Sequence, residues 1–469
     1  MHENRQEGAA PARRWALDPV MMMLAALLVA IALTWLIPSG EYQRKGGAET
    51  ALVIPGSYQP LEKTLSAAAL MPPPAKSEEV RPVSPAALVT AIPAGLAKSS
   101  GLIFMILLLG GMFGILRSSG ALDAGIERLL VVTGGRVGIV TPVVMIAISA
   151  GSTFLGLISE YLLIIPIVCA LAERMGRSRL YGFAMLTLAA KVGYLASVTN
   201  PVALLIAQPI VGVPVFSGAG LRFAIWVTML AIAIGVVLRL GRDGAPVAPP
   251  AAGAGRLSPR HLMVLAIVGA TVVALVIGSS ELGWRDAQFA SLFVVAAVLM
   301  ALVAGMAPRA AAHAFVAGMQ SMMLAVLLIG MARGVELVLR EGRILDTIVA
   351  YASDHVAHLS PLLVAPLLMV FEMGLTLLIP STSAKAALSI PILGPIAQSV
   401  GVSGQTTVLA FLLGNGLVNM FAPTSGMLLA YLATAGIPYG RWFRFVLPLF
   451  GVFTALAIGA CMLAVAIGY

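Results

Sequence analysis

The sequence predicts an all-α polytopic membrane protein built as an inverted repeat, with about nine transmembrane helices, two re-entrant hairpins and two discontinuous helices. Three observations carry this. Hydrophobic residues make up 59% of the chain and charged residues 10%, where a soluble domain carries about 25% charge. The 469 residues leave room for about ten spans of roughly 20 residues each. Two stretches also share a pattern: Pro166 and Thr199 align with Pro391 and Thr424 (391 − 166 = 225; 424 − 199 = 225). Gly212-Val-Pro214 matches Gly436-Ile-Pro438, and Arg222-Phe223 matches Arg444-Phe445. Apolar segments broken by Gly and Pro at matching places in two halves mark secondary transporters, with the substrate between the breaks.

The elements follow in order. Residues 1–16 form a polar, basic tail. The first repeat covers 17–240. It starts with an apolar run at 20–37 that lacks a small-residue cleavage site and reads as a retained helix. Residues 39–84 are too polar to cross and form an extramembrane loop. A short surface helix is expected at 86–99, a span at 102–116 and an amphipathic surface helix at 121–132. Two half-length apolar segments flank Gly151-Ser-Thr153, predicting a hairpin over 137–172, which membranes tolerate only when it is buried or lines a wet cavity. A helix broken near Thr199-Asn-Pro201 covers 180–211, and a full span covers 221–240. Residues 241–260, rich in Gly, Ala and Pro, link the halves, and 261–278 is a connecting helix. The second repeat, 286–469, has spans at 289–306 and 325–339 with a surface helix at 310–320 between them. Its hairpin covers 362–399, its broken helix 406–433 and its last span 443–467.

Charge supports that count. With the N-terminus inside, the inner loops carry Arg117, Arg128, Arg136, Arg174, Arg177, Arg179, Arg239 and Arg441 among others, while 400–407, outside, has no charge. This is the positive-inside pattern. The net charge of +9 therefore reads as topology control; a nucleic-acid partner is not expected. The connecting helix has no mate in the first half, so the second half enters the membrane upside down. Cys169 and Cys461 lie in apolar runs and read as small hydrophobes.

Ionisable groups within spans cost about 2.5–3.5 kcal/mol on insertion scales, so each carries a functional hypothesis. Glu160 and Lys385 follow the two hairpin tips at equivalent positions (385 − 160 = 225). They read either as a clamp for the two ends of an amino acid, with the lysine alone able to take a carboxylate, or as a salt bridge between the hairpins. Lys191 and Glu372 are the other charges at membrane depth. The expected substrate site comprises Ser152, Thr153, Glu160, Asn200, Ser381, Thr382, Ser383, Lys385, Asn419, Thr424 and Ser425. A coupling cation would use oxygens of Thr199, Asn200, Asn415 and Thr424, because broken helices free carbonyls for Na⁺. Gly110, Gly111, Gly114, Gly330 and Gly334 read as close helix packing. No nucleophile–base set, P-loop or metal-ligand spacing is present, so no enzyme and no cofactor is expected beyond coupling Na⁺ or H⁺. An ion channel is the rival reading.

Several motifs together resemble the C4-dicarboxylate uptake C (DcuC)/YfcC family of bacterial carriers: Leu33-Thr-Trp-Leu-Ile-Pro38, Gly111-Met-Phe-Gly114, Gly151-Ser-Thr-Phe154 to Glu160, Asn200-Pro201 to Gln208, Pro380-Ser-Thr-Ser383, and Pro423-Thr-Ser-Gly426 to Gly440. The resemblance covers nearly the whole chain. Ser159-Glu160 stands where similar chains carry an acidic pair. Ser383-Ala-Lys385 is also similar to the p-aminobenzoyl-glutamate transporter family, which makes efflux a second reading. The resemblance implies an elevator-type carrier of the ion-transporter superfamily, a homodimer in the bacterial inner membrane. Its implied cargo is a small carboxylate, either a C4-dicarboxylate or an amino acid.

Overall fold

The computed structural model describes residues 19–45, 52–72, 79–133, 136–241, 258–284, 286–356 and 359–469. The tail 1–16 and most of the linker, 242–257, lie outside the described residues. Among those described there are nineteen α-helices, and eight candidate spans are long and apolar enough to cross a membrane. The chain is a multi-pass membrane protein.

The first repeat runs α1 (Pro19–Leu36), α2 (Ala87–Lys98), α3 (Ser100–Ser118), α4 (Ala121–Thr133), α5 (Val137–Leu155), α6 (Ile165–Arg174), α7 (Arg179–Ala196), α8 (Pro201–Ile210) and α9 (Ala219–Leu240). The connecting helix is α10 (Pro259–Ser280). The second repeat runs α11 (Asp286–Val303), α12 (Pro308–Gln320), α13 (Met323–Glu341), α14 (Leu345–Val356), α15 (Pro361–Leu378), α16 (Thr382–Ser399), α17 (Gly404–Val418), α18 (Gly426–Ala435) and α19 (Tyr439–Ala466). Taken in order, α1–α9 correspond to α11–α19.

The inversion is visible in one zipper of small residues. Only a single residue separates α2 from α3, and two separate α12 from α13, so each pair forms a long, nearly continuous rod. A Cβ on Gly95 would sit 2.0 Å from the Gly330 carbonyl, and one on Gly334 would meet the Ala91 carbonyl at 2.8 Å. Further along, a Cβ on Gly114 would sit 2.0 Å from the Ala314 carbonyl, and one on Gly318 2.1 Å from that of Gly110. As the first rod is ascended the second is descended, so the two run antiparallel. In lipid, where apolar contact alone does not drive association, such backbone approach supplies the packing. The expected surface helices at 86–99 and 310–320 are therefore corrected: they are halves of these rods.

The remaining contacts also exchange between repeats. The broken helix α7–α8 packs against α5 and α9, as α17–α18 packs against α15 and α19, while α8 lies on α16 and α18 on α6. Helix α14, absent from the sequence expectation, is the mate of α4. The polar segment after α1 is also more than a loop. Strand β1 (Ser39–Glu41) pairs with β4 (Gln59–Leu61), and β2 (Arg44–Lys45) with β3 (Leu52–Val53), both antiparallel. This strap lies over α14 and α16, fixed by Arg44 to Asp346 at 2.6 Å and by Ser39 Oγ donating to the Gly342 carbonyl at 2.7 Å.

Candidate functional site

Helix α7 ends because Ser197 adopts a left-handed φ of 44°, a conformation costly for a residue with a Cβ. The chain resumes as α8, with Pro201 at its first position and Asn200 as N-cap, the Asn200 Oδ1 accepting from Val202 N at 3.0 Å. Helix α17 gives way to the turns at 419–425, and α18 restarts with Ser425 Oγ accepting from Leu428 N at 3.4 Å. Both half-helices thus begin at membrane depth on a polar cap, each presenting the positive end of a helix dipole.

The first hairpin is stapled to the first break. Ser152 Oγ donates to the Ala190 carbonyl at 2.8 Å, Thr153 Oγ1 accepts from Val198 N at 3.0 Å, and Thr199 Oγ1 donates to the Phe154 carbonyl at 3.2 Å. Asn200 Nδ2 donates to Ser197 Oγ at 3.2 Å. Gly156 turns the tip at φ +75°, and a Cβ there would lie 2.5 Å from Asn200 Oδ1. Ser152, Thr153 and Thr199 thus hold the hairpin to the broken helix, while Asn200 caps the break itself.

The second tip meets both broken helices through a chain of hydrogen bonds. Ser425 Oγ donates to Asn419 Oδ1 at 3.1 Å, Asn419 Nδ2 to Asn415 Oδ1 at 3.3 Å, and Asn415 Nδ2 to Thr382 Oγ1 at 3.1 Å and Tyr194 OH at 3.2 Å. Tyr194 and Thr382 share a further bond. Ser381 caps α16, and Ser383 is half-buried beside it. The Thr424 hydroxyl, on a residue 5% exposed, has no hydrogen-bond partner among the described residues.

Several carbonyls freed by the breaks are already taken. Arg222, fully buried, donates Nη2 to the Val198 carbonyl at 3.0 Å. In the second repeat Trp442 Nε1 donates to the Met420 carbonyl at 2.9 Å, and Tyr439 OH to that of Phe421. Each break is therefore pinned by the helix that follows it.

The four charges at membrane depth divide differently from the sequence expectation. Lys385, fully buried, does not face Glu160. It pairs with Glu372 Oε2 at 3.2 Å inside its own hairpin, donates to Thr376 Oγ1 at 2.6 Å and lies 4.8 Å from the Phe411 ring centre. Residues equivalent under the inverted repeat meet only near its axis, and the two hairpins keep these two apart. Glu160, 8% exposed, accepts from Ile158 N at 2.8 Å and has no cation partner among the described residues. Lys191, 3% exposed, has neither an acceptor nor an anion among them; its Nζ lies 5.7 Å from the Tyr431 ring centre. Tyr431 OH donates to the Ile158 carbonyl, beside Glu160. Tyr194 and Tyr431 are the participants that sequence reasoning missed. Each is a hydroxyl at membrane depth near a break, which is the signal available to find them.

The family model of the C4-dicarboxylate anaerobic carrier matches residues 17–240 and 254–466. Among curated relatives, the "Putative basic amino acid antiporter YfcC" of Escherichia coli is 27% identical, over 98% of each chain. An uncharacterized protein of Haemophilus influenzae is 26% identical, over 95% of each. Among solved structures, the Alcanivorax borkumensis YdaH transporter matches with a TM-score of 0.43 and 15% identity, over 96% of this chain and 99% of its own. The Neisseria gonorrhoeae efflux pump MtrF matches with a TM-score of 0.39 and 15% identity, over 95% and 94%.

Proposed function

The chain belongs to the DcuC family, the C4-dicarboxylate anaerobic carriers, and from that premise we propose that it is a secondary active carrier of an amino acid, working by alternating access between its hairpin tips and helix breaks. It is a membrane transporter and not an enzyme. The observation that carries the choice of cargo is the charge inventory of the site. Lys385 and Glu372 cancel within one hairpin and the Arg222 guanidinium is taken by the Val198 and Ser217 carbonyls, leaving Glu160 and Lys191, one carboxylate and one ammonium without an oppositely charged partner among the described residues. A zwitterion supplies a group of each sign. A dianion would leave two uncompensated charges in a low dielectric, where each costs several kcal/mol. The half-helix N-termini of α8 and α18 favour the substrate carboxylate, and Glu160 favours its amine or a basic side chain. The antiporter name of the Escherichia coli relative agrees with an exchange mode.

A second reading is a C4-dicarboxylate taken up with Na⁺. It is supported by the family description and by the Thr424 hydroxyl, an oxygen with no hydrogen-bond partner among the described residues that a cation could use. Under either reading a homodimer in the bacterial inner membrane, with its N-terminus cytoplasmic, completes the proposal. The test is uptake of labelled lysine, arginine, glutamate and succinate into proteoliposomes, with and without Na⁺ or preloaded amino acid. Saturable uptake of an amino acid, stimulated by preloading, is expected. Na⁺-dependent succinate uptake with no amino acid transport would replace the first reading by the second.

A further inference from the structure

The inverted repeat places one arginine at the end of each scaffold rod, Arg117 closing α3 and Arg340 closing α13 (340 − 117 = 223). The rods are antiparallel, so the two arginines lie at opposite faces of the protein. The same offset relates Leu122-Asp123 to Leu345-Asp346 (346 − 123 = 223). Each arginine opens into a cavity that runs from its face toward a hairpin. One, of about 310 Å³, is lined by Arg44, Arg340, Arg343 and Asp346 and descends to Ala384 and Ala387 beside the second tip. The other, of about 470 Å³, is lined by Arg117, Arg179 and Leu122 and descends to Pro166 of the first hairpin and Thr434 of α18.

The arginines are not exhausted by their partners. Arg340 donates only its Nε, to Glu336 Oε1 at 2.9 Å, and is half-exposed; its two Nη groups have no acceptor among the described residues. Arg117 is exposed and has no anion among them. Arg44 and Arg343 pair with Asp346 and Glu41 through one terminal nitrogen each. The two faces reach this arrangement by different means. Asp123 is held by Arg174 at the end of the first hairpin, at 2.9 Å. The equivalent end of the second hairpin is Ser399 (399 − 174 = 225), and the strap supplies Arg44 to Asp346 instead. A planar guanidinium with free donors in a wide mouth suits a carboxylate.

We propose that these two cavities are a pair of carboxylate-collecting vestibules, one per face, with Arg340 and Arg117 as the first charged groups the substrate anion meets, and with the strap serving to complete the first of them. This rests on the reading of the cargo as a carboxylate, and its test is chosen to separate the two. Ala384→Cys and Ala317→Cys, which line the two vestibules, are introduced singly in full-length protein lacking Cys169 and Cys461. Their labelling rates are compared for methanethiosulfonate reagents bearing a sulfonate or a trimethylammonium.

The expected result is preference for the sulfonate at each site. Arg340→Gln should lower that preference about 3- to 10-fold at Ala384→Cys and leave Ala317→Cys unchanged, with Arg117→Gln doing the reverse. These are the effects of one nearby unit charge in a wet cavity, and they should collapse in 1 M salt, where the Debye length is about 3 Å. Arg340→Lys, which keeps the charge, should retain the preference and so separates charge from folding. In oriented proteoliposomes Arg340→Gln should raise KM for substrate presented at the strap face more than for the opposite face, with kcat kept. An unchanged reagent preference in both glutamine variants overturns the vestibules. Preserved preference with no carboxylate transport at all overturns the cargo reading instead.

Discussion

Removing Glu372 isolates the central electrostatic device of the second hairpin. Glu372→Ala leaves the Lys385 ammonium fully buried with only Thr376 Oγ1 at 2.6 Å and the backbone carbonyl of residue 372 at 3.3 Å. Breaking one side of a buried pair costs about 3–5 kcal/mol, because the surviving charge stays desolvated. Those two remaining acceptors and the Phe411 face, 4.8 Å away, place the expectation near the lower end, about 3 kcal/mol. That is a factor of roughly 100 in the folded-to-unfolded ratio. Lys385→Ala strands the carboxylate in the same way. The double variant Glu372→Leu with Lys385→Met fills the volume with apolar atoms and should return to within about 1 kcal/mol of the parent, since such replacements are often neutral or better. Reversible unfolding in mixed micelles measures all four corners of the cycle. The double variant should also keep uptake, because the pair is closed on itself. Single variants as stable as the parent, or a double variant losing the sum of both, would refute the reasoning. A folded double variant without uptake would show that the pair takes part in transport.

Tyr194→Phe removes the hydroxyl shared by Thr382 and Asn415. Buried hydrogen bonds of this kind are worth about 0.5–3 kcal/mol, so apparent substrate affinity should fall by roughly 2- to 100-fold in uptake kinetics, with melting little changed. Gly114→Val forces a side chain onto the Ala314 carbonyl, 2.0 Å from where a Cβ would begin; melting in detergent should show loss of the folded protein, while Gly235→Ala, which meets nothing within 4 Å, should be silent. Ser197→Gly relieves a positive φ but drops the hydroxyl that accepts from Asn200; melting should change by no more than a few degrees and uptake should fall. Glu160→Gln should abolish uptake of cationic amino acids while the protein melts as before, since Glu160 supports a local turn through Ile158 N and Ser159 Oγ, whose bonds a glutamine oxygen can also accept.

Much of the fold was legible because the physics that shapes it is local. Long apolar runs could only be spans, and Gly151-Ser-Thr153, Pro380-Ser-Thr-Ser383 and Asn200-Pro201 could not continue a helix. Helix α14 was not legible from composition: Asp346, Thr347 and Ser353 blur its apolar period. The Leu-Asp pair shared with α4 marks it, once the rods are seen to repeat at 223 rather than 225. The strap strands are two or three residues long, too short for an alternating pattern to declare them. The site was half legible. Thr382, Asn415, Asn419 and Ser425 do form one connected chain, but whether Asn200 caps a helix or faces a ligand depends on where Ser197 and Val202 point. Pairing Lys385 with Glu160 followed from repeat arithmetic, yet a two-fold axis brings equivalent residues together only at the axis. The broken helices do meet, Tyr194 bonding Asn415 one turn before its repeat mate Asn419 (194 + 225 = 419); the hairpins do not. An aromatic in an apolar helix reads as core until its hydroxyl is seen to bridge two other elements.

The central claim is that this chain moves its substrate by alternating access at a site between two hairpin tips and two helix breaks. Counterflow with the purified protein in proteoliposomes tests it most directly. Vesicles loaded with unlabelled amino acid should transiently concentrate external labelled amino acid above equilibrium, saturably. Glu160→Gln and Tyr194→Phe should weaken the overshoot, and the Glu372→Leu, Lys385→Met double variant should keep it. Ohmic, non-saturating currents in planar bilayers, without any overshoot, would contradict the account.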